Sequence, residues 1–331
     1  MSNQRSGTAH ATGDMKYHKF FPPGLLTWRE LAAKAGHEFV EDNLMSKAAE
    51  MSYYFLLAIF PFLFILTTVL GFMAGPGSAV LTAIEEYVRQ VVPSSGYGLV
   101  IQTLHQVQTS AGAGKLSFGI IGTLWAASMG VSSIMDGLNR AYGVKEERPW
   151  WKIQLLAIAL TLILGTFIVL ALLLVLYGER LFGYAATRIG VFRAYSAVWS
   201  IGQWVLIVIM VWFALAFIYR FAPDLRKNRW AHVTGGAVVG TVLWIGVSLG
   251  LRFYLHFFNT YQATYGSLGA VIILLLWFYL SGIAILVGGE VNSEMENAQA
   301  AAGDGDARLT GEKTPGERAR YRELQNAPKT G

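Results

Sequence analysis

Cysteine is absent from this chain of 331 residues, which excludes disulfide bonds, thiol nucleophiles and thiolate metal sites. Charge is scarce as well. Charged residues make up 14% of the chain and hydrophobic residues 54%, whereas an average soluble domain is about 25% charged. The mean hydropathy is +0.43. This composition predicts a single all-α polytopic membrane helix bundle rather than two or three soluble domains.

Enzyme motifs are also missing. The sequence has no P-loop, no Gly-x-Ser-x-Gly elbow, no GxGxxG and no HExxH, and its six histidines fall in six different segments. Its basic residues are spread over several loops instead of forming the basic and aromatic groove of a nucleic-acid enzyme. We therefore expect a protein that is not an enzyme, has no cofactor or metal, and binds no nucleic acid.

Long apolar stretches dominate what is present. Each is long enough to cross a hydrocarbon core of about 30 Å. The predicted spans are about 53–74, 116–135, 153–177, 198–219, 233–255 and 267–289. Pro61 lies inside the first span, where a missing N–H predicts a helix kink.

The segments around these spans are amphipathic or polar. A capping box, Thr27-Trp28-Arg29-Glu30, predicts an amphipathic helix over about 27–49, and a second amphipathic segment covers about 79–107. The first helix packs either on the end of the bundle or on the lipid surface, and the sequence favours neither. Residues 1–26 and 297–331 are expected to be disordered tails around a membrane domain of 27–296.

The distribution of Lys and Arg predicts the orientation. Of the 26 Lys and Arg residues, twenty belong to the two tails and the second and fourth loops, and six to the other side. The positive-inside rule then places both termini in the cytoplasm.

No charged residue occurs in the middle of any predicted span, although proton-driven transporters usually bury such a group. Charges instead gather where spans reach the cytoplasmic side, and they define a candidate polar vestibule. Its members are Glu50, Asp136, Asn139, Arg140, Arg220, Asp224 and Glu290. The alternative is that helix ends carry charges simply because they leave the lipid.

The predicted connection between the last two spans, on the opposite side, is uncharged and rich in hydroxyl groups. Asn259, Tyr265, Gly266 and Ser267 make it a candidate outer-face turn at a helix N-terminus, where an anionic headgroup or substrate is favoured. An aromatic belt with a tight turn is the simpler interpretation.

Several short motifs follow one another along the chain. They are Ala48-Ala49-Glu50-Met51-Ser52-Tyr53-Tyr54 running to Phe60-Pro61, Leu124-Trp125, Leu138-Asn139-Arg140-Ala141-Tyr142, Ile218-Tyr219-Arg220-Phe221-Ala222-Pro223, Tyr265-Gly266-Ser267-Leu268-Gly269, Leu276-Trp277-Phe278-Tyr279 and Gly288-Gly289-Glu290-Val291-Asn292. Together they resemble the YihY/virulence factor BrkB family, formerly labelled ribonuclease BN-like. The resemblance covers about 31–296 and implies a bacterial inner-membrane protein with about six spans.

The resemblance suggests an envelope-associated transporter or lipid-handling protein, with membrane lipids and an amphipathic or lipid-like substrate as partners. A membrane scaffold or assembly factor is the alternative, using the small-residue faces of the second and fifth spans. A ribonuclease ranks last, because no residues here are suited to binding catalytic metal and RNA together. A homo-oligomer is compatible with all three hypotheses.

Overall fold

The computed structural model describes residues 27–74, 113–189, 195–226, 230–257 and 267–317. These residues form α-helices, and no strand occurs among them. The predicted all-α class is confirmed. The helices are α1 Trp28–Glu41, α2 Leu44–Ala74, α3 Ala113–Ala141, α4 Trp150–Ile189, α5 Tyr195–Phe221, α6 Trp230–Phe257 and α7 Ser267–Ala301.

Each predicted span lies inside one of the helices α2 to α7. With about 1.5 Å of rise per residue, all six helices exceed the thickness of a bilayer core. Within the described residues, four stretches combine the length and hydropathy of a membrane span and coincide with predicted spans three to six. They are Trp150–Val175, Ile201–Phe221, Val233–Leu255 and Gly269–Ala301. The first two spans stay predictions, because the side chains of 63–74 and 113–120 are outside the described part.

The six long helices form a closed ring. Each helix from α2 to α7 packs beside the next one in the chain, and α7 returns to pack against α2. Helix α7 also contacts α3 across one end of the ring, and α1 lies over α7 and α2. The last helix therefore closes the bundle.

Helix α1 begins with the predicted capping box. Thr27 accepts a hydrogen bond from the Glu30 backbone N–H, and the Glu30 carboxylate accepts one from the Thr27 N–H at 2.8 Å. The helix ends at Glu41 rather than continuing to residue 49, because Asn43 has φ +53° and turns the chain into α2. Leu31 and Ala35 are buried against α7, so this helix packs on the bundle.

Pro61 lies inside α2, which continues on both sides of it. Since proline has no N–H, the carbonyl of Leu57 loses its usual helical donor. The predicted kink at this position stays a prediction.

One end of the bundle, the polar end, gathers α1, the α3–α4 loop (142–149), the α5–α6 turn (222–226) and residues 302–317. The buried core comes from the part of each helix nearest this end. It includes Leu44, Met51, Leu138, Leu160, Tyr219, Val233 and Leu286. The opposite end of the bundle is the far end.

The closest helix crossing, between α6 and α7, lies within this core. A Cβ added to Gly236 would overlap the carbonyl oxygen of Gly288, and one added to Gly288 would overlap the Tyr219 hydroxyl. Tyr219 donates that hydroxyl to the Ile285 carbonyl at 2.8 Å, and the Asn292 side chain accepts from the Gly236 N–H at 2.6 Å. Small residues therefore allow two backbones to meet here, as in many membrane bundles.

The C-terminal part corrects a prediction. A disordered tail was expected from residue 297, but α7 continues to Ala301 and residues 302–317 pack on the polar end. The reason is a buried ion pair: Arg308 donates to the Glu296 carboxylate at 2.6 and 2.8 Å, with both side chains 4% exposed. Residues 1–26 and 318–331, and the predicted helix at 79–107, lie outside the described residues.

Replacing Gly236 with Ala should destabilise the protein strongly. The added methyl group forces α6 away from Gly288, and overpacking of this kind costs about 1–3 kcal/mol. Thermal unfolding in detergent measures the change. Gly246→Ala is the matched control on the same helix, because no heavy atom lies within 4 Å of its Cβ position. Equal melting temperatures for the two variants would contradict the proposed contact.

Candidate functional site

The sequence-predicted vestibule residues that the structure describes lie at the polar end, but they fall into separate groups. The first group surrounds Lys47 of α2. Its ammonium contacts Glu50 at 2.9 Å and Asp136 of α3 at 2.5 Å. The hydrogen bond to Asp136 raises the pKa of Lys47. Both acids are largely exposed, so these pairs contribute little to stability.

The second group is built around Asn139, near the end of α3. Its side-chain oxygen accepts from the backbone N–H of Asp224 at 2.7 Å, and its amide donates to Glu146 at 2.8 Å. The side chain is buried, so water cannot take the place of either hydrogen bond of the amide. Asn139 thus joins the α3–α4 loop to the α5–α6 turn.

Arg148 reinforces this junction. Its guanidinium donates to both oxygens of Glu146, at 2.7 and 2.6 Å, and to the Ala222 carbonyl at 2.9 Å. Burial alone would raise the pKa of Glu146, but the hydrogen bonds from Arg148 and Asn139 outweigh it and lower that pKa. A planar guanidinium suits this bidentate arrangement better than an ammonium.

Asp224 connects the junction to the C-terminal segment. Its carboxylate accepts from the Lys313 ammonium at 2.8 Å and from the Glu147 N–H at 3.0 Å. Burial would raise the pKa of Asp224, but these two hydrogen bonds and the charges of Lys313 and Arg148 lower it. Lys313 also reaches Glu147 at 2.9 Å, so one ammonium holds two acids.

Backbone contacts hold the same segment in place. The Gly311 N–H donates to the Tyr142 carbonyl at 3.1 Å, and the Arg226 N–H donates to the Lys313 carbonyl at 2.8 Å. Residues 302–317 therefore bind both the α3–α4 loop and the α5–α6 turn. We call this segment the C-terminal strap.

The two arginines of the predicted vestibule contact different neighbours. Arg140 donates from Nε to the carbonyl of Asp42 at 2.6 Å and so fixes the α1–α2 turn. Arg220 lies over the rings of Phe221 and Trp230, with its Cζ at 5.6 and 6.0 Å from the two centroids. Neither arrangement is typical of a substrate-binding arginine.

Glu290 lies in the interior. It is 1% exposed, although the sequence placed it where α7 leaves the membrane. Because α7 continues to Ala301, Glu290 is an inner residue of a long helix.

The candidate outer-face turn falls outside the described part of the structure. Asn259, Tyr265 and Gly266 are not described, and Ser267 is the first residue of α7, with only its backbone described. That hypothesis stays a prediction.

Sequence reasoning missed several members of the polar end. Lys47, Glu146, Arg148 and Lys313 were not proposed, and neither was the Arg308–Glu296 pair. The run Lys145-Glu146-Glu147-Arg148, directly before Pro149, was a usable signal for a charge-paired loop. Lys313 had no comparable signal, because it lies in a Gly-rich and charged segment that is typical of disorder.

Within the described ranges, no group of three or more His, Cys, Asp or Glu residues is placed to hold a metal ion. A small pocket lies between the strap and α7, lined by residues that include Tyr142, Ser293 and Thr310.

A ring of apolar helices with one charge-paired end defines a polytopic all-α membrane protein. A family model described as virulence factor BrkB matches residues 35–311. The chain belongs to this virulence factor BrkB family, and the resemblance of its motifs is thereby confirmed.

Relatives extend over most of the chain. It is 39% identical over 248 residues to a ribonuclease-like protein, YfkH, of Bacillus subtilis (strain 168), covering 75% of this chain and 88% of that protein. It is 28% identical to a UPF0761 membrane protein of Pseudoalteromonas atlantica, covering 77% of this chain and 82% of the relative. No solved structure matches the chain.

Removing the charge of Asp224 should destabilise the polar end. Asp224→Asn removes one of the two carboxylates that Lys313 contacts and the negative charge near Arg148, and hydrogen bonds to charged groups are worth about 1.5–3 kcal/mol. Because its folded pKa is lowered, this contribution is full above the ordinary value of 3.8 and is lost as the pH falls through the folded pKa.

Thermal unfolding at a series of pH values measures this effect. The gap between wild type and Asp224→Asn should be constant from neutral pH down to about pH 5 and should close in stronger acid. Asp136→Asn is the control, since its ion pair with Lys47 is exposed. A gap that widens in acid would contradict the assignment.

Proposed function

We propose that this protein is an envelope-associated transporter or lipid-handling protein of the bacterial inner membrane, with its polar end and both termini in the cytoplasm. The observation that carries the proposal is an asymmetry in packing along the bundle. The helices are closely packed at the polar end and exposed on several faces toward the far end.

Helix α5 displays this asymmetry most clearly. Near the polar end, Leu215, Ala216 and Tyr219 are buried. Nearer the far end, the consecutive residues Trp204, Val205 and Leu206 are 65%, 53% and 41% exposed. Consecutive helical residues point about 100° apart, so these three side chains cover somewhat more than half of the helix circumference. Gln203, Ile207 and Met210 form the remaining face and are half-buried, whereas Leu215 and Tyr219 nearer the polar end are buried. The exposed faces suit contact with lipid, and the remaining face is less tightly covered here than near the polar end.

Several glycines differ between the two ends in the same way, although a Cβ at Gly178 of α4, nearer the far end, would overlap the Trp199 ring. Cβ atoms added at Gly137, Gly236 or Gly288 would collide with neighbouring helices. At Gly202 and Gly250, nearer the far end, no atom lies within 4 Å of the added Cβ. A bundle that is sealed at one end and loosely packed at the other suits a molecule that enters from the membrane or from the far side.

The chemistry of the helices favours an amphipathic or lipid-like molecule. No charged residue lies in the middle of a predicted span, so a strongly charged substrate would find no partner there. Polar groups in the bundle are mainly hydroxyls and amides, such as Ser128 and Gln154, which hydrogen-bond to each other at 2.7 Å. Acyl chains would be accommodated by such a surface.

The cytoplasmic placement of the polar end is supported by its basic residues. Short loops rich in Lys and Arg stay on the cytoplasmic side of inner-membrane proteins. The α3–α4 loop alone contains Lys145 and Arg148 and is followed by Lys152.

A membrane scaffold is the second candidate, and the same open glycines favour it. Gly122 of α3 and Gly246 and Gly250 of α6 have free space at their Cβ positions. A partner helix packs closely on such positions. A ribonuclease ranks last, and the name of the Bacillus relative describes that protein alone.

Cysteine scanning tests whether the far end is open to water, and the cysteine-free chain needs no prior substitution. Single variants Trp204→Cys, Val205→Cys and Leu206→Cys sample three directions around α5. We expect a membrane-impermeant maleimide, added to the periplasmic side of cells, to label the position facing the ring and to spare those facing lipid.

Ala216→Cys, on a buried position of α5, is the unreactive control. Trp28→Cys, on an exposed position of α1, should react only after the inner membrane is opened. No labelling at any of the three positions would favour the scaffold, and labelling of Trp28→Cys from outside would reverse the proposed orientation.

A lipid-handling role predicts a changed envelope. In a strain lacking the gene, the lipid composition of the inner and outer membranes should differ from that of the parent, and the wild-type gene should restore it. Quantitative lipidomics of separated membranes provides the measurement. An unchanged composition would remove the lipid-handling version of the proposal and leave transport of another amphipathic compound.

A further inference from the structure

Glu290 is a carboxylic acid whose described surroundings do little to stabilise a negative charge. Its side chain is 1% exposed, and its Oε2 has no hydrogen-bond partner among the described residues. Glu296, another buried acid at this end, is paired. It lies less than two turns further along α7 and receives two hydrogen bonds from the Arg308 guanidinium.

The groups around Glu290 are acidic. The charges that act on it most strongly are those of Asp42 and Glu38, at the end of α1, and of Glu294 on its own helix. The cations in this region have other contacts. Arg140 donates to the carbonyl of Asp42, and Lys34 acts on Glu294. The phenol of Tyr142, directly after α3, also interacts with Glu290.

Close packing keeps water and new partners away from this carboxyl. Leu286, one turn earlier, contacts Gly137 of α3, and Gly289 lies against Leu138. On the other side, Leu31 and Ala35 of α1 pack against Val291. Glu290 therefore lies between α1, α3 and α7 without room to reach solvent.

An ionised carboxylate is unstable in such a place, because it has lost water and gained no donor. A bound metal ion would compensate, but the described residues offer no group of three or more His, Cys, Asp or Glu in a suitable arrangement. Because the neighbouring acids are not arranged to share a metal ion with it, the cation that neutralises this buried carboxyl is a proton.

We propose that Glu290 is a proton-binding site, in which the side chain is held as a neutral carboxylic acid beneath α1. Glu38 and Asp42, whose charges act on this carboxyl, are half-buried between it and the surface of the polar end. Movement of α1 away from α7 would open the path, since α1 contributes the residues that cover Val291.

Glu290 gives the bundle a buried ionisable group. Proton-coupled transporters place an ionisable group in the bundle interior, and no predicted span has a charged residue in its middle. The continuation of α7 beyond residue 289 brings Glu290 into that position. Its use as a coupling site rests on the proposed transport function, whereas its binding of a proton does not.

Infrared spectroscopy of the purified protein in lipid tests the proposal directly. A protonated carboxyl has a C=O stretching band separate from that of a carboxylate. At pH 7 we expect wild type to show such a band and Glu290→Gln to lack it. Glu294→Gln, one turn along the same helix, should keep the band. An identical acid band in wild type and Glu290→Gln would overturn the proposal.

Thermal unfolding gives a second measurement. Glutamine imitates the neutral acid in size and polarity, so Glu290→Gln should melt at the same temperature as wild type or higher. Lower stability, or failure to fold, would mean that the negative charge itself is needed, and the proposal would fail. Because both measurements detect the carboxyl rather than transport, they stand whatever the cysteine scan and lipidomics show.

Discussion

The crossing of α6 and α7 at Gly236 and Gly288 is the contact on which the bundle depends. It brings two backbones together where no side chain larger than hydrogen fits. Next to it, Tyr219 donates a hydrogen bond to one backbone and Asn292 accepts one from another. The bond from Tyr219 joins α5 to the same crossing. Van der Waals contact and buried hydrogen bonds are the main sources of helix association in lipid. Burial of apolar side chains adds little there, because acyl chains are equally apolar.

From this crossing outward, the polar end is progressively fixed by ion pairs. Asn139, Arg148 and Asp224 join the α3–α4 loop to the α5–α6 turn, and the C-terminal strap lies over both segments. The far end has no equivalent among the described residues, and α5 is exposed there on several faces. In the described part of the chain, one end of the ring is thus held by ion pairs and the other is not, which agrees with the proposed amphipathic or lipid-like substrate.

The helices were predictable because a local pattern determines them. A charge-free run of about 20 residues predicts a span, and Thr27 with Glu30 predicts the start of α1. The residues of the predicted vestibule lie at one end, since the helix ends next to the α3–α4 loop and the α5–α6 turn meet there, and their role as a vestibule stays a prediction. Which of them pair was not predictable, because Asp224 and Lys313 are 89 residues apart. The burial of Glu290 was missed for a related reason. A charge after an apolar run indicates an exit from the membrane, and only the packing of α1 over α7 reverses that interpretation.

The closure of the ring by its last helix has a consequence for synthesis. Helix α7 packs against α1, α2, α3 and α6, so these four helices lack a neighbour until α7 has been synthesised. The strap follows later still, and its Arg308 and Lys313 supply partners for Glu296 and Asp224. An incomplete chain thus exposes unpaired acids and open glycine faces, features by which membrane quality control can distinguish it from the finished protein.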